Sequence, residues 1–427
     1  SEKSDYLEHL KQSNKSTFES YRSHINELDE IIEIDKLYSF AERQNNFDLT
    51  RLTYEYLPLS FSRRHGDPSR PWNFFDIQLK ATDGKPSFNY QGNWRDIFQN
   101  WEALAYSFPH YLSGMICRFL NASTADGYNP YRLTRQGFDW EIPEPDNPWA
   151  YIGYWGDHQI IYLLRLMELH EKFFPGQLYQ SFERPLFVYA QVPYLIKPYK
   201  KILENPQDTI IFDFRLHETL MHQFSQKGAD GKLYQRNSDP VRASFTEKIL
   251  VSLLTKISNF IPEAGIWLNT QRPEWNDANN ALVGNGTSMV TLFHLRRYVN
   301  FLLNITSASS ESQFTVSNEV LCFFGQIEGV LSEFKPMIND GFSDEQRKQI
   351  TDRLGEAGEA YREKVYQGFT GGYQTLPKAK VVNFYREVVS YFDQSILTNR
   401  RDDRLYHSYN LIEFSNQEIK VKHLDLM

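Results

Sequence analysis

Three overlong connections constrain this chain more than any other feature. Helical periodicity, with apolar residues three to four apart, recurs in about eleven segments of the 427 residues. Residues 49–93, 123–156 and 262–285 interrupt it. Helix–helix connections usually run about 2–8 residues, and those beyond ~15 are functional or disordered. These three are rich in aromatic side chains, which argues against disorder. Each also delivers an indole and a carboxylate within it or at its end: Trp94-Arg95-Asp96, Trp155-Gly156-Asp157 and Glu274-Trp275-Asn276-Asp277. The pattern predicts one shared site assembled by long loops on one face of a helical scaffold.

The helices themselves carry recognisable punctuation. Asp157 opens one whose stripe is Ile160, Ile161, Leu164, Met167 and Leu169, and Pro175-Gly176 stops it. Ser244 with Glu247, and Ser343 with Gln346, have capping-box spacing. Further helices are expected over 286–305, 317–335, 343–367 and 380–397. Asp344–Glu363 is charged along one side and reads as the solvated face of an outer helix. Strand signal is sparse, with one short candidate near Phe75–Leu79. The expected fold is therefore all-α, built from stacked hairpins, with a helical linker over residues 1–45 and a toroid-sized unit over 46–427.

Several function classes are disfavoured. A net charge of −8 argues against nucleic acid as a partner, because phosphate binding normally leaves a basic excess. The densest basic cluster, Arg63-Arg64-His65 with Arg70, reads as a loop able to hold one anion. No apolar run reaches the ~18 residues of a membrane span. Cys117 and Cys322 both fall in helical patterns, which favours a reducing, cytoplasmic setting over a disulfide-stapled fold. Ser1-Glu2-Lys3-Ser4-Asp5 is not a signal peptide and reads as a cut inside a longer protein. No phosphate-cradling glycine loop, dinucleotide fingerprint or nucleophile elbow occurs. His217 and His222 lie five apart, off the i, i+4 face of a helical metal site, so no metal is expected.

Glu274-Trp275-Asn276-Asp277 is the segment richest in chemistry. Glycoside cleavage needs a carboxyl with a raised pKa beside the departing oxygen. An indole wall such as Trp275 could raise it. Arg95 and Gln99 share a helical face and can fork onto vicinal hydroxyls, although a helix-start ion pair uses the same residues. Asp157 and His158 suit sugar binding, a helix cap or a buried histidine equally. All eight tryptophans lie between Trp72 and Trp275, and such indoles serve either a core or a sugar face.

Taken in order, these motifs resemble the catalytic barrel of the cellobiose and chitobiose phosphorylase family of glycoside-active enzymes. Trp94-Arg95-Asp96 with Gln99, then Asp157-His158, then Trp275-Asn276-Asp277, then Gly286-Thr287-Ser288-Met289-Val290 follow that family's order over residues 94–290. Closer likeness, in Gly92–Glu102 and Asn269–Asp277, is to a less characterised group of large bacterial relatives. The resemblance implies a six-hairpin α/α toroid with Asp277 as general acid in an inverting cleavage or phosphorolysis. It implies an oligosaccharide substrate, no cofactor, and inorganic phosphate as a possible co-substrate. Trp94, Arg95, Asp96, Gln99, Trp155, Asp157, His158, Glu274, Trp275 and Asn276 would bind sugar. A hydrolase would also need a base, for which Glu141, Asp96 and Asp157 are candidates. Departures are Asn100, Glu274 and Ala278, where the family has Asp, Asp and Gly. These keep open a non-catalytic carbohydrate-binding module of a larger protein, whose other domains would be its partners.

Overall fold

A computed structural model describes residues 1–60, 80, 84, 88–144, 146, 152–157, 159–270 and 277–424, without the side chains of Arg95, Gln99, Ser181 and Asp277. The candidate strand at Phe75–Leu79 and the basic cluster at Arg63–Arg70 lie outside the described residues.

The chain begins with four helices, α1 (Lys3–Ser13), α2 (Lys15–Asn26), α3 (Ile34–Arg43) and α4 (Phe47–Tyr54). Asparagines start two of them: Asn14 accepts from Thr17 N at 2.9 Å and Asn46 from Leu49 N at 2.9 Å. Tyr6, Leu10, Ile25, Leu37, Leu52 and Tyr56 belong to a core cluster of their own. The helical segment expected over 1–45 thus continues through α4, which shares that cluster.

Strand β1 (Gln91–Asn93) leads into α5 (Trp94–Ser107). Helix α5 stops two residues before Pro109, whose ring cannot continue it, and α6 (Leu112–Asn121) follows. The second long connection contributes β2 (Arg132–Thr134) and β3 (Gly137–Asp139). A π-helical turn at Gln159–Leu163 runs into α7 (Leu164–Phe173), with α8 (Gln177–Phe182) after Gly176. Then come β4 (Phe187–Val188), β5 (Tyr194–Ile196), α9 (Tyr199–Glu204), β6 (Ile210–Phe212) and α10 (Phe214–Lys227). Short strands β7 (Gln235–Arg236), β8 (Asp239–Pro240) and β9 (Arg242–Ala243) precede α11 (Phe245–Ile257).

Helix α11 is the centre of the molecule: all 13 of its residues are buried. The third connection supplies β10 (Phe260–Ile261), β11 (Gly265–Trp267), α12 (Asp277–Leu282) and β12 (Gly286–Ser288). There follow α13 (Met289–Ala308), β13 (Gln313–Ser317), α14 (Asn318–Phe334), α15 (Asp344–Gln367), β14 (Tyr373–Pro377) and α16 (Lys378–Thr398), of which β13, α14 and α15 pack on α11. Helix α13 packs on α16, and α14 on α15. A hairpin of β15 (Tyr409–Phe414) and β16 (Ile419–His423) completes a five-stranded antiparallel sheet in the order β10-β11-β12-β15-β16.

The expected all-α, six-hairpin toroid is overturned. The fold is mixed, 56% helix and 16% strand in several antiparallel sheets, and it shows no toroid. The strands escape periodicity because most are two to three residues long and many pair across long stretches of chain: β12 pairs β15, and β13 pairs β14. Neither pair is announced by a local turn. The segment starting at Gly286 is likewise a strand before it becomes α13.

Helix α15 is also not an outer helix. It packs against α9, α11, α14, β10 and β16, and its charged residues Arg347, Lys348 and Arg362 are buried. Among the described residues no helix is long and apolar enough to cross a membrane.

Candidate functional site

The three long connections interlock around the C-terminal end of α11. The first meets the second through β1, which pairs antiparallel with β2 in the register Gln91↔Thr134. Trp94 reinforces this join, its indole Nε1 donating to the Pro130 carbonyl at 2.6 Å. The second folds back on itself where Asn129 N donates to Trp155 O at 2.5 Å and Trp155 N donates to Asn129 O at 3.1 Å. It then lies on α11. Gly127 has φ +86° and a Cβ there would collide with Thr255, so glycine is required both for conformation and for the close approach. Thr255 Oγ1 donates to the Asp126 carbonyl at 3.0 Å. The third connection joins when Asn269 Nδ2 donates to Asn259 Oδ1 at 2.7 Å, and Asn259 reaches Tyr128 OH at 3.5 Å. Its base is closed by Gly284 N to Leu268 O at 2.6 Å and by Trp267 Nε1 to Gly284 O at 2.9 Å.

Two carboxylates stand out at this junction. Asp157 accepts from Lys256 Nζ at 2.6 Å, and the two side chains are 15% and 8% exposed. Gly156 makes room, since a Cβ there would lie 3.2 Å from Lys256 Nζ. His294 on α13 feels the Asp157 charge, which opposes the burial and the Arg297 charge that hold its imidazole below the usual range. Asp126 accepts from Thr124 Oγ1 at 2.5 Å, from Tyr154 OH, and from Tyr366 OH at 2.7 Å. Burial, with the Asp126 charge adding to it, pushes both phenols well up, so they remain donors. Beside this carboxylate is a cavity of about 60 Å³ lined by Asp126, Tyr154, Gln191, Tyr194, Tyr234 and Tyr366. Phenols, an amide and a carboxylate on the wall of a small, mainly apolar cavity can bind hydroxyl groups.

The expected site residues are placed as follows. Trp94, Asp96 and Trp155 are buried, at 0%, 2% and 4% exposure. Asp96 N caps onto Asn93 Oδ1 at 2.9 Å. The two indoles are covered by protein, so their faces join the core. Arg95 and Gln99 lie on α5, and Asp277 opens α12, with side chains outside the described set. His158, Glu274, Trp275 and Asn276 lie outside the described residues. Glu141 accepts from Gly153 N at 2.9 Å, and its carbonyl accepts from Tyr194 OH at 2.7 Å, which ties the second connection together.

Sequence reasoning missed Asp126, Tyr154, Lys256 and Tyr366. Asp126-Gly127 inside an aromatic-rich connection was the available signal. Lys256 sits in the last turn of α11, where a single lysine carries no local signal of a partner. His217 accepts from Trp140 Nε1 at 3.1 Å, and His222 faces Gln226 at 2.9 Å on an exposed surface. Among the described residues no group of three or more His, Cys, Asp or Glu could hold a metal.

Residues 1–58, which are α1–α4 and the turn after them, match glycoside hydrolase family 149 insertion domain 1. The match links the chain to a glycoside-active enzyme family, and not specifically to the cellobiose and chitobiose phosphorylases. No curated protein matches the chain.

Proposed function

We propose that this chain belongs to a carbohydrate-active enzyme that cleaves or phosphorolyses a glycosidic bond with inversion, with Asp277 as the general acid. The observation that carries the reading is the interlocking of all three long connections around the end of α11. The match of residues 1–58 to a glycoside hydrolase insertion domain supports the substrate class.

In this reading Asp277 protonates the leaving oxygen from the start of α12. Arg95, Gln99 and His158 bind sugar hydroxyls, with Glu274, Trp275 and Asn276 alongside the acid. Asp157, oriented by Lys256, accepts from a hydroxyl in the same subsite. Asp96, Trp94 and Trp155 act from beneath, fixing the backbone of the loops. In phosphorolysis inorganic phosphate attacks the opposite face of the sugar and no protein base is needed. In hydrolysis a second carboxylate about 6.5–9.5 Å from the acid would activate water, and Glu141 is a candidate.

A second reading, a carbohydrate-binding module without turnover, is favoured by one observation. Asp157 already has a cationic partner, which suits holding a hydroxyl better than activating water. Product release from β-linked glucans and chito-oligosaccharides, with and without phosphate, separates the two. Wild type should release product and Asp277→Asn should not. Equal activity in the variant would remove Asp277 from the acid role. Glycan binding without release by wild type would favour the module.

A further inference from the structure

We propose that Arg362 is the centre of an oxyanion-binding subsite at the C-terminal end of α11. Arg362 is 7% exposed and, among the described residues, makes no hydrogen bond or ion pair. That is an exception in this molecule. Buried Arg51 and Arg118 each bond Glu55, at 2.9 and 2.8 Å. Lys232 has Asp139 at 2.7 Å, Lys256 has Asp157 at 2.6 Å, Arg347 has Glu263 at 2.6 Å and Lys348 has Asp352 at 2.5 Å. Lys248 donates to the carbonyls of Ser123 and Val188 at 3.1 and 2.8 Å and lies 3.8 Å from the centre of the Tyr189 ring.

Burying a charge without a partner is expensive, and arginine cannot escape by losing its proton. An anion from solution resolves the cost. Among the described residues, Asp126 acts together with Arg362 on the Tyr366 hydroxyl. Its carboxylate is already engaged by Thr124, Tyr154 and Tyr366.

The surroundings suit an oxygen ligand. Arg362 lines a cavity together with Ser258, Asn259, Asn269 and Thr270. The Ser258 hydroxyl and the Asn259 amide already donate to Thr255 O, and the Asn269 amide to Asn259 Oδ1, so the guanidinium is an unengaged donor group facing this space. Its enclosed volume is about 10 Å³, room for about one oxygen and not for a sugar ring. Helix α15 is bare where the guanidinium lies. A Cβ on Gly358 would sit 2.9 Å from Ser258 Oγ and 3.2 Å from Arg362 Nη1. The ligand class is therefore a small oxyanion that inserts one oxygen: inorganic phosphate, or a phosphate or carboxylate carried by a sugar. The subsite is argued from Arg362 alone; its use by a co-substrate rests on the function proposed above.

The test is calorimetric titration of the 427-residue chain with inorganic phosphate, and separately with glucose 1-phosphate and glucuronate, at constant ionic strength. Wild type should bind at least one of these, and Arg362→Gln should bind it at least tenfold more weakly. Binding of phosphate identifies the free anion as the source, and binding of the anionic sugars alone identifies a sugar substituent. No binding of any of the three by wild type, or equal affinity in a folded Arg362→Gln, overturns the proposal. Should Arg362→Gln fail to fold, Gly358→Ala decides. Its methyl group crowds the guanidinium and should also weaken binding tenfold, and unchanged affinity would overturn the subsite. Asp277→Asn should retain anion binding, which keeps this result separate from the fate of the general-acid assignment.

Discussion

Replacing Glu55 with Gln should loosen the attachment of the first four helices. Glu55 is 4% exposed and accepts from Arg51 Nη1 at 2.9 Å, Arg118 Nη1 at 2.8 Å and Asn121 Nδ2 at 2.7 Å. Burial alone would push its carboxyl up, but Arg51 and Arg118 outweigh it and hold the group below the usual range. An amide of the same shape removes the charge and turns an N–H₂ toward donors. Arg51 keeps Asp230 at 2.5 Å, whereas Arg118 keeps no carboxylate among the described residues, but the carbonyls of Thr134 and Arg135, at 2.9 and 2.7 Å, and the Tyr90 hydroxyl. Breaking a buried ion pair from one side costs about 3–5 kcal/mol. Because Arg51 stays paired, the lower end, about 3 kcal/mol, applies, or roughly a hundredfold in the folding equilibrium. Urea unfolding followed by tryptophan fluorescence measures the loss. The exposed pair Arg22–Glu19, whose side chains are 57% and 59% exposed, supplies the control, and its loss should be within about 0.5 kcal/mol. Hydrogen exchange should show residues 1–58 opening first, since they have a separate core cluster. A loss below about 1 kcal/mol for Glu55→Gln would refute the claim that this network anchors the segment.

Lys256→Met should weaken oligosaccharide binding by about tenfold and lower stability by about 3 kcal/mol, because it leaves the Asp157 carboxylate without its counter-ion. Calorimetry with an oligosaccharide checks this, and unchanged affinity would separate Asp157 from the sugar site. Burial pushes Glu183 up to about 8 and Glu247 up to about 7. Raised carboxyl pKa values stabilise the fold fully below the ordinary range near 4.5, and the contribution is lost as pH rises toward 8. Melting temperature should therefore fall from about pH 5 to 8, and Glu183→Gln should flatten part of that fall; an identical slope in the variant would contradict it.

Helices with strong internal periodicity were legible close to their ends. The segments expected over 317–335, 343–367 and 380–397 are Asn318–Phe334, Asp344–Gln367 and Lys378–Thr398. The Ser343–Gln346 capping box closes in both directions. The Ser244–Glu247 pair closes in one only, because Glu247 turns inward to Tyr189 and Ser317 at 2.7 Å each. A local motif predicts a local bond until a buried partner competes for the same side chain. Strands were illegible for the complementary reason: β13 and β14 acquire their pairing only from the packing of the intervening α14 and α15. Loop length singled out three connections that meet one another near the end of α11. Arg362 fell in the segment read as a solvated face, because a sequence gives a helix's polar face without saying whether another element covers it.

The order of the five-stranded sheet sets a clock for synthesis. Gly286 of β12 pairs with Leu411 of β15, 125 residues later by subtraction of the two positions. At roughly 5–20 residues per second the ribosome needs about 6–25 s to make that stretch. Through this interval β10, β11 and β12 form an incomplete sheet whose open edge is β12. An unpaired edge is a template for another nascent chain. Slow passage through residues 289–408 therefore lengthens the period in which neighbouring polypeptides on one messenger can pair wrongly, and arrival of the final hairpin ends it.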